Sequence, residues 1–159
     1  MAASSSISRT VTSAVSAGSV VSSLLTIQTS GRGFVDLSAD IAQFVDEAAA
    51  VEGQVTHFVR HTSASLTIQE NADPTVLKDL ATALDRLAPE NAGWSHDTEG
   101  PDDMPAHVKT MLTATSLQIP VIKSRLMLGT WQAIYLIEHR RRAHRREVVV
   151  QFAGKTASA

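Results

Sequence analysis

The sequence predicts one α+β domain, a compact and largely antiparallel sheet or sandwich with about three helices, and three observations carry that reading. Short segments of strand-period alternation recur along the chain, joined by tight turns that favour antiparallel pairing. Helical stripes fall between groups of strands rather than after every strand, which argues against a doubly wound parallel sheet. The 159 residues, 43% of them hydrophobic, supply one core without disulfides or a structural metal.

Taken in order, residues 1–21 are Ser- and Ala-rich and without an acid, and read as a flexible extension. A Ser-rich, acid-poor start also leaves organellar targeting open, although Arg is scarce. Residues 22–153 form the expected domain and 154–159 a frayed tail. Leu25 and Ile27 alternate with Thr26 and Gln28 as a short strand, ended by a turn at Gly31 and Gly33. Ile41, Phe44, Val45 and Ala48 form a helical stripe, capped by Ser38 and stopped near Gly53. QVTHFVRH reads as a strand, with SLTIQ its continuation or hairpin partner. Asp73 and Pro74 are a cap and first-turn proline for a helix burying Val76, Leu77, Leu80, Leu84 and Leu87. Pro105 starts a third helix, expected to bury Val108, Met111, Leu112 and Thr115. Leu117, Ile119 and Val121 then alternate, Lys123-Ser124 turns, and RLMLGTWQAIYLIEH and EVVVQF read as closing strands.

Composition removes several classes of function. Cysteine is absent, so thiolate metal sites and cysteine nucleophiles are excluded, and a cytoplasmic location is the expectation. With 14 Lys+Arg against 16 Asp+Glu, the net charge of -2 offers no global attraction to nucleic acid or membrane, and neither is expected as a partner. No stretch has transmembrane hydropathy. A glycine-rich phosphate loop and a G-x-S-x-G elbow are both missing.

The residues with chemical promise are histidines and carboxylates. His57 and His61 would share a helical face, but in a strand they stand about 13 Å apart at ~3.3 Å per residue, so His57 reads as structural or surface. His61 ends that strand beside the hydroxyls of Thr62, Ser63 and Ser65. The loop HDTEGPDDMPAH gathers His96, Asp97, Glu99, Asp102, Asp103 and His107 with no Lys or Arg among them. Such a cluster repels itself unless a cation, a proton or a distant Arg intervenes, and imidazole with carboxylate suits Zn, Mn or Fe, carboxylate with water Mg. A solvated acidic loop is the plainer alternative. Glu138 on an apolar strand face calls for a cation or a solvated strand end, and Trp131 reads as core before substrate platform. RRRAHRR could grip phosphate, but a solvated hairpin tip is its ordinary reading.

Three motifs in order, HTSASLTIQENADPTV, WSHDTEGPDDMPAHVK and LGTWQ, resemble the YjbQ family, also called UPF0047, over roughly Ser22 to Phe152. Ala133 stands where the family usually has Gly. The resemblance implies a compact α+β fold, a homotrimer and secondary thiamine-phosphate synthase activity, joining a pyrimidine-methyl pyrophosphate to a thiazole phosphate. It also implies that His61, Glu70, Asn71, His96, Asp97, Glu99, His107, Trp131 and Gln132 are the functional set. On that basis a divalent metal (Zn, Mn or Mg) is expected on His61, His96 and His107. Catalytic carboxylates are expected in Asp97, Glu99 and Glu70, and contacts to a small phosphorylated metabolite from Thr62, Ser65, Asn71, Trp131, Gln132 and Arg140. A module that binds the metal or metabolite without turnover would use the same ligands.

Overall fold

The computed structural model describes residue 14 and residues 16–157. Most of the expected N-terminal extension therefore lies outside the described residues. Two antiparallel sheets face each other, as the alternation predicts, and the domain begins and ends further out than expected. Strand β1 (Ser19–Gln28) pairs along its full length with β8 (Arg145–Thr156), so the expected limits of 22 and 153 cut into a continuous ladder, and Gly154, Lys155 and Thr156 of the supposed tail are strand.

The larger sheet has the order β1-β8-β3-β5-β6, with β3 (Ala50–Val59), β5 (Ser116–Ile122) and β6 (Arg125–Leu126). Lys123 and Ser124 both take left-handed φ values, 51° and 60°, as a tight hairpin between β5 and β6 requires. In the register of β3 and β8, Gly53 faces Gly154, and the two backbones approach so closely that a Cβ on Gly154 would stand 2.3 Å from the Glu52 carbonyl. Gly53 is thus a close-approach residue inside a strand, not a helix stop. The first helix, α1 (Ser38–Glu47), ends earlier, at Ala48 and the left-handed Ala49.

The smaller sheet has the order β2-β7-β4: β2 (Gly33–Asp36), β7 (Gln132–Glu138) and β4 (Ala64–Glu70). SLTIQ is therefore neither the continuation nor the partner of β3. It crosses to the other sheet and pairs with β7. RLMLGTWQAIYLIEH is likewise two strands, because residues 127–131 carry the chain from one sheet to the other. Gly33, read as a turn signal, opens β2. The inner faces and α1 enclose one core that includes Leu37, Ile41, Phe44, Val55, Leu66, Ile134, Leu136, Val150 and Phe152. Each such side chain contributes about 1.5–3 kcal/mol by leaving water. Ser38 does not cap α1 with its hydroxyl. That oxygen accepts from the Ile134 N–H at 2.9 Å, while the Asp36 carboxylate accepts the Ser38 N–H at 2.8 Å.

Helix α2 (Pro74–Leu87) starts as its sequence dictates, the Asp73 carboxylate accepting the Thr75 N–H at 2.8 Å. Its apolar stripe is not buried: Val76, Leu77, Leu80 and Leu84 are half-covered and Leu87 is 66% exposed. The helix lies beside the smaller sheet, where Ala81 and Leu84 border a small cavity together with Phe34 and Ile137. Helix α3 (Asp103–Leu112) starts two residues before Pro105 and turns a different face inward. Asp103, Pro105, Ala106, Lys109 and Thr110 are buried, whereas Met111 is 77% exposed, Leu112 is exposed and Thr115 lies past the helix end. The inward face is selected by ion pairing, since buried Lys109 binds the Asp85 carboxylate of α2. No helix among the described residues is long and apolar enough to cross a membrane.

Candidate metal centre and cleft

Three donor groups converge at the start of α3. His96 Nε2 lies 2.9 Å from Asp103 Oδ2, and His107 Nε2 lies 3.7 Å from Asp103 Oδ1. The ligand atoms of His96, Asp103 and His107 all fall within 4.8 Å of one another. Asp103 and His107 share a helix face because they are four residues apart. His96 arrives from the preceding loop, its ring centroid 5.4 Å from that of His107. The His107 Nδ1 atom is 3.0 Å from the Thr62 carbonyl, which can only accept. The proton is thus fixed on Nδ1 and the Nε2 lone pair is turned to the triad, the arrangement that orients a metal-binding imidazole.

Arginine 140 holds the carboxylates in place. It is buried, with Nε 3.2 Å from Asp102 Oδ2, Nη1 on Asp103 Oδ1 and Nη2 donating to the Glu99 carbonyl at 2.8 Å. Asp102 is held below the usual carboxylate range: burial opposes ionisation, but the Arg141 N–H and the Arg140 guanidinium outweigh it. The expected solvated hairpin tip is solvated only in its middle, at Arg141, Arg142 and Arg145, and is not a hairpin. Residues 139–144 connect strands of different sheets, and a buried guanidinium at one end answers the self-repulsion of the acidic loop. At the other end Arg146, also buried, pairs with buried Glu138 through two contacts of 2.7 Å. Burial disfavours the charge on Glu138, yet Arg146, the Arg140 N–H and Thr29 hold its pKa down.

That second pair reaches the remaining histidine. Arg146 Nη2 donates to Ser63 Oγ at 3.2 Å, and both the Ser63 N–H and its hydroxyl sit 3.0 Å from His61 Nδ1. His61 is not in the donor triad. It borders a cleft of about 440 Å³ shared with Thr62, His107, Thr110, Met111, Thr113 and Thr115. Burial, then the Arg146 charge, lowers its pKa below the ordinary histidine value, against the opposing pull of Glu138.

The other expected site residues divide. Thr62 lines the cleft and supplies the carbonyl that fixes His107. Ser65 is fully buried between His139 Nε2, at 2.8 Å, and the Thr113 hydroxyl, at 2.7 Å, so it is a packing hydroxyl and not a substrate contact. Arg140 is turned to Asp102 and Asp103, so its first role is to position them. Asp97 and Glu99 lie in the exposed loop, where Glu99 Oε2 is 3.6 Å from Arg140 Nη1. Glu70, Asn71, Trp131 and Gln132 gather elsewhere: Glu70 pairs with Gln132, and the Asn71 N–H donates to the Trp131 carbonyl at 3.1 Å. Ala64, near His61, pairs with Glu138 at the opposite end of the same strands, so about 20 Å of β4, at ~3.3 Å per residue, separates the groups. Trp131 is 64% exposed, not core. His57 is fully buried, as a structural histidine, with neither ring nitrogen in a well-formed hydrogen bond.

Asp103, Ser63 and Arg146 entered the sequence reading only as members of their segments and not among the expected site residues. Asp103 carried a signal, an acid four residues before a histidine at a helix start. Ser63 and Arg146 meet only through the fold.

Fold and site together define a class: a two-sheet α+β domain with an imidazole-carboxylate triad beside an open cleft. The chain belongs to the UPF0047 protein YjbQ-like family, whose sequence profile matches residues 23–155. It is 50% identical over 133 residues to the UPF0047 protein sll1880 of Synechocystis, covering 83% of this chain and 90% of that one. It is 40% identical over 132 residues to YjbQ of Escherichia coli, covering 82% and 96%. The crystal structure of a YjbQ/UPF0047 family protein from Clostridium acetobutylicum superposes with a TM-score of 0.76 at 35% identity, covering 81% of this chain and 98% of that one.

Proposed function

We propose that this protein is a metal-assisted enzyme acting on a small phosphorylated metabolite, with the thiamine-phosphate synthase reaction implied by the family resemblance as the leading candidate. The observation that carries the reading is the triad of His96, Asp103 and His107 with the His107 tautomer fixed by the Thr62 carbonyl. Two imidazole nitrogens and one carboxylate suit Zn or Mn, and Mg less well. A divalent ion held there would supply positive charge to a leaving pyrophosphate. The chain's own part is to hold the donors: Arg140 fixes Asp103, Thr62 fixes His107, and the cleft gives the organic substrate room beside them. In the reaction, the thiazole nitrogen forms a bond to the pyrimidine methylene carbon as its bond to the pyrophosphate oxygen breaks.

The test is to supply both precursors with Zn, Mn or Mg to the purified protein and measure thiamine phosphate. Formation that is lost in His107→Ala supports the reading, and no product with any of the metals removes it. A second reading, a module that binds without turnover, is favoured by one observation: Glu70, one of the expected catalytic carboxylates, lies at the far end of β4 from the triad. Tight Zn binding without product would select it.

The exposed Leu87, Leu112 and Trp131, together with the unburied stripe of α2, support the self-association that the implied homotrimer requires, because apolar surface of this kind is covered in assemblies. Light scattering coupled to size exclusion tests it, and a monomer at micromolar concentration would refute it. The pairing of Arg140 and Arg146 with buried acids withdraws two arginines from any nucleic-acid-binding surface.

A further inference from the structure

We propose that His61 is a hydrogen-bond donor, through Nε2–H, to an anionic oxygen of a ligand seated in the cleft, and that it is not a metal ligand. The Ser63 N–H can only donate, and it points at His61 Nδ1 from 3.0 Å. That nitrogen must present its lone pair, so in the neutral ring the proton sits on Nε2. His107, on the same cleft, has the opposite tautomer, because the Thr62 carbonyl can only accept from its Nδ1. One short turn, residues 61–63, therefore sets one imidazole as a donor and its neighbour as a lone-pair ligand. The setting of His61 is itself anchored, since Ser63 is held by Arg146 and Arg146 by Glu138, both buried.

The cleft between them matches a ligand with an anionic end and an apolar body. Its volume of about 440 Å³ lies within the range of small-molecule sites. Met111 offers an exposed, adaptable apolar surface on one side, and Thr62, Thr113 and Thr115 border the rest. Thr110, in the same wall, has the one buried hydroxyl among the described residues without a hydrogen-bond partner, leaving a donor unused. Placed across the cleft, a phosphate-class oxygen would meet the triad on the His107 side and the Nε2–H on the other. The position of the ligand rests on the metal reading above, whereas the tautomer of His61 does not.

Two-bond proton–nitrogen correlation spectra of the 15N-labelled protein, with His61→Ala for assignment, read the tautomers directly. His61 is expected as Nε2–H and His107 as Nδ1–H; a His61 protonated on Nδ1 overturns the proposal. Titration with zinc is expected to move the His96 and His107 nitrogens and to leave the His61 proton on Nε2. Loss of that proton with zinc makes His61 a ligand, and overturns the proposal while the metal reading stands. Inorganic phosphate is then titrated into the zinc-loaded protein. His61→Ala is expected to weaken it about tenfold, the effect of one charge-assisted hydrogen bond, and His61→Gln, with an amide N–H near the Nε2 position, to restore most of it. Equal phosphate affinity in wild type and His61→Ala overturns the proposal. If zinc moves none of the rings, the metal reading falls, and the same phosphate comparison on the metal-free protein decides the role of His61.

Discussion

Two arginines show how much of this site depends on single buried charges. Arg146 and Glu138 are each almost wholly out of water, so their pairing offsets a desolvation cost rather than adding a large surplus. Removing one partner leaves the other stranded. Arg146→Met is expected to destabilise the fold by about 3–5 kcal/mol, read from urea unfolding, and the double variant with Glu138→Leu to recover much of that loss. Asp103 makes the complementary case at the site. Asp103→Asn keeps the shape and removes the charge, so on the proposed metal reading zinc affinity by calorimetry should fall at least about tenfold. The residue-scale chemistry was partly legible in the sequence. His96 and His107 announced themselves by density of ligand types, whereas His61 lies outside their group, with its Nδ1 held by Ser63.

At the scale of elements, the local signals that worked are those whose physics is local. Asp73 and Pro74 define the start of α2 by hydrogen bonding and a fixed φ, and no distant residue is needed. Asp73→Ala should cost about 1 kcal/mol in thermal or urea unfolding. The glycine pair is the opposite case, since its reason lies across the sheet. Gly154→Ala pushes a methyl into the Glu52 carbonyl and the Phe152 ring, and is expected to cost about 1–3 kcal/mol or more, with loss of soluble yield as the coarse readout. Strands were found where alternation placed them, but partners were not: β4 leaves β3 for β7, because side chains such as Leu66 and Ile68 reach the core only from the second sheet. The face buried by α3 was misread because Lys109, a charged residue, goes inside with Asp85 as partner while Met111 stays out.

The whole molecule carries a pH dependence that follows from buried imidazoles. Burial lowers the pKa of His57 to about 4, against the small upward pull of the Leu117 backbone, and burial followed by the Lys109 charge lowers that of His139 to about 4. The unfolded chain takes up these protons near pH 6.5 and the folded one does not, so stability falls as pH drops from about 6.5 to about 4. Each histidine contributes on the order of 3 kcal/mol to that loss. Glu138 adds to the acid side, since its lowered pKa gives stability above the ordinary carboxylate value that is lost as pH falls through the folded one. His57→Leu should flatten the acid limb and leave stability at pH 7.5 equal or higher, measured by urea midpoints at pH 7.5 and 5. An unchanged limb would show that His57 titrates freely in the folded protein.

By itself the sequence determined the α+β class, the strand and helix periods, the cap of α2 and the family, all of which depend on neighbours within a few residues or on long motifs read in order. Tertiary structure alone decided that His96 and His107 close on Asp103 and that Arg140 and Arg146, at the two ends of the arginine segment, lie buried against acids. It also decided that the motif residues separate to the two ends of β4. The reason is that periodicity specifies which face of an element is apolar, whereas the contacts of a charge depend on which distant element pairing brings an opposite charge out of water beside it.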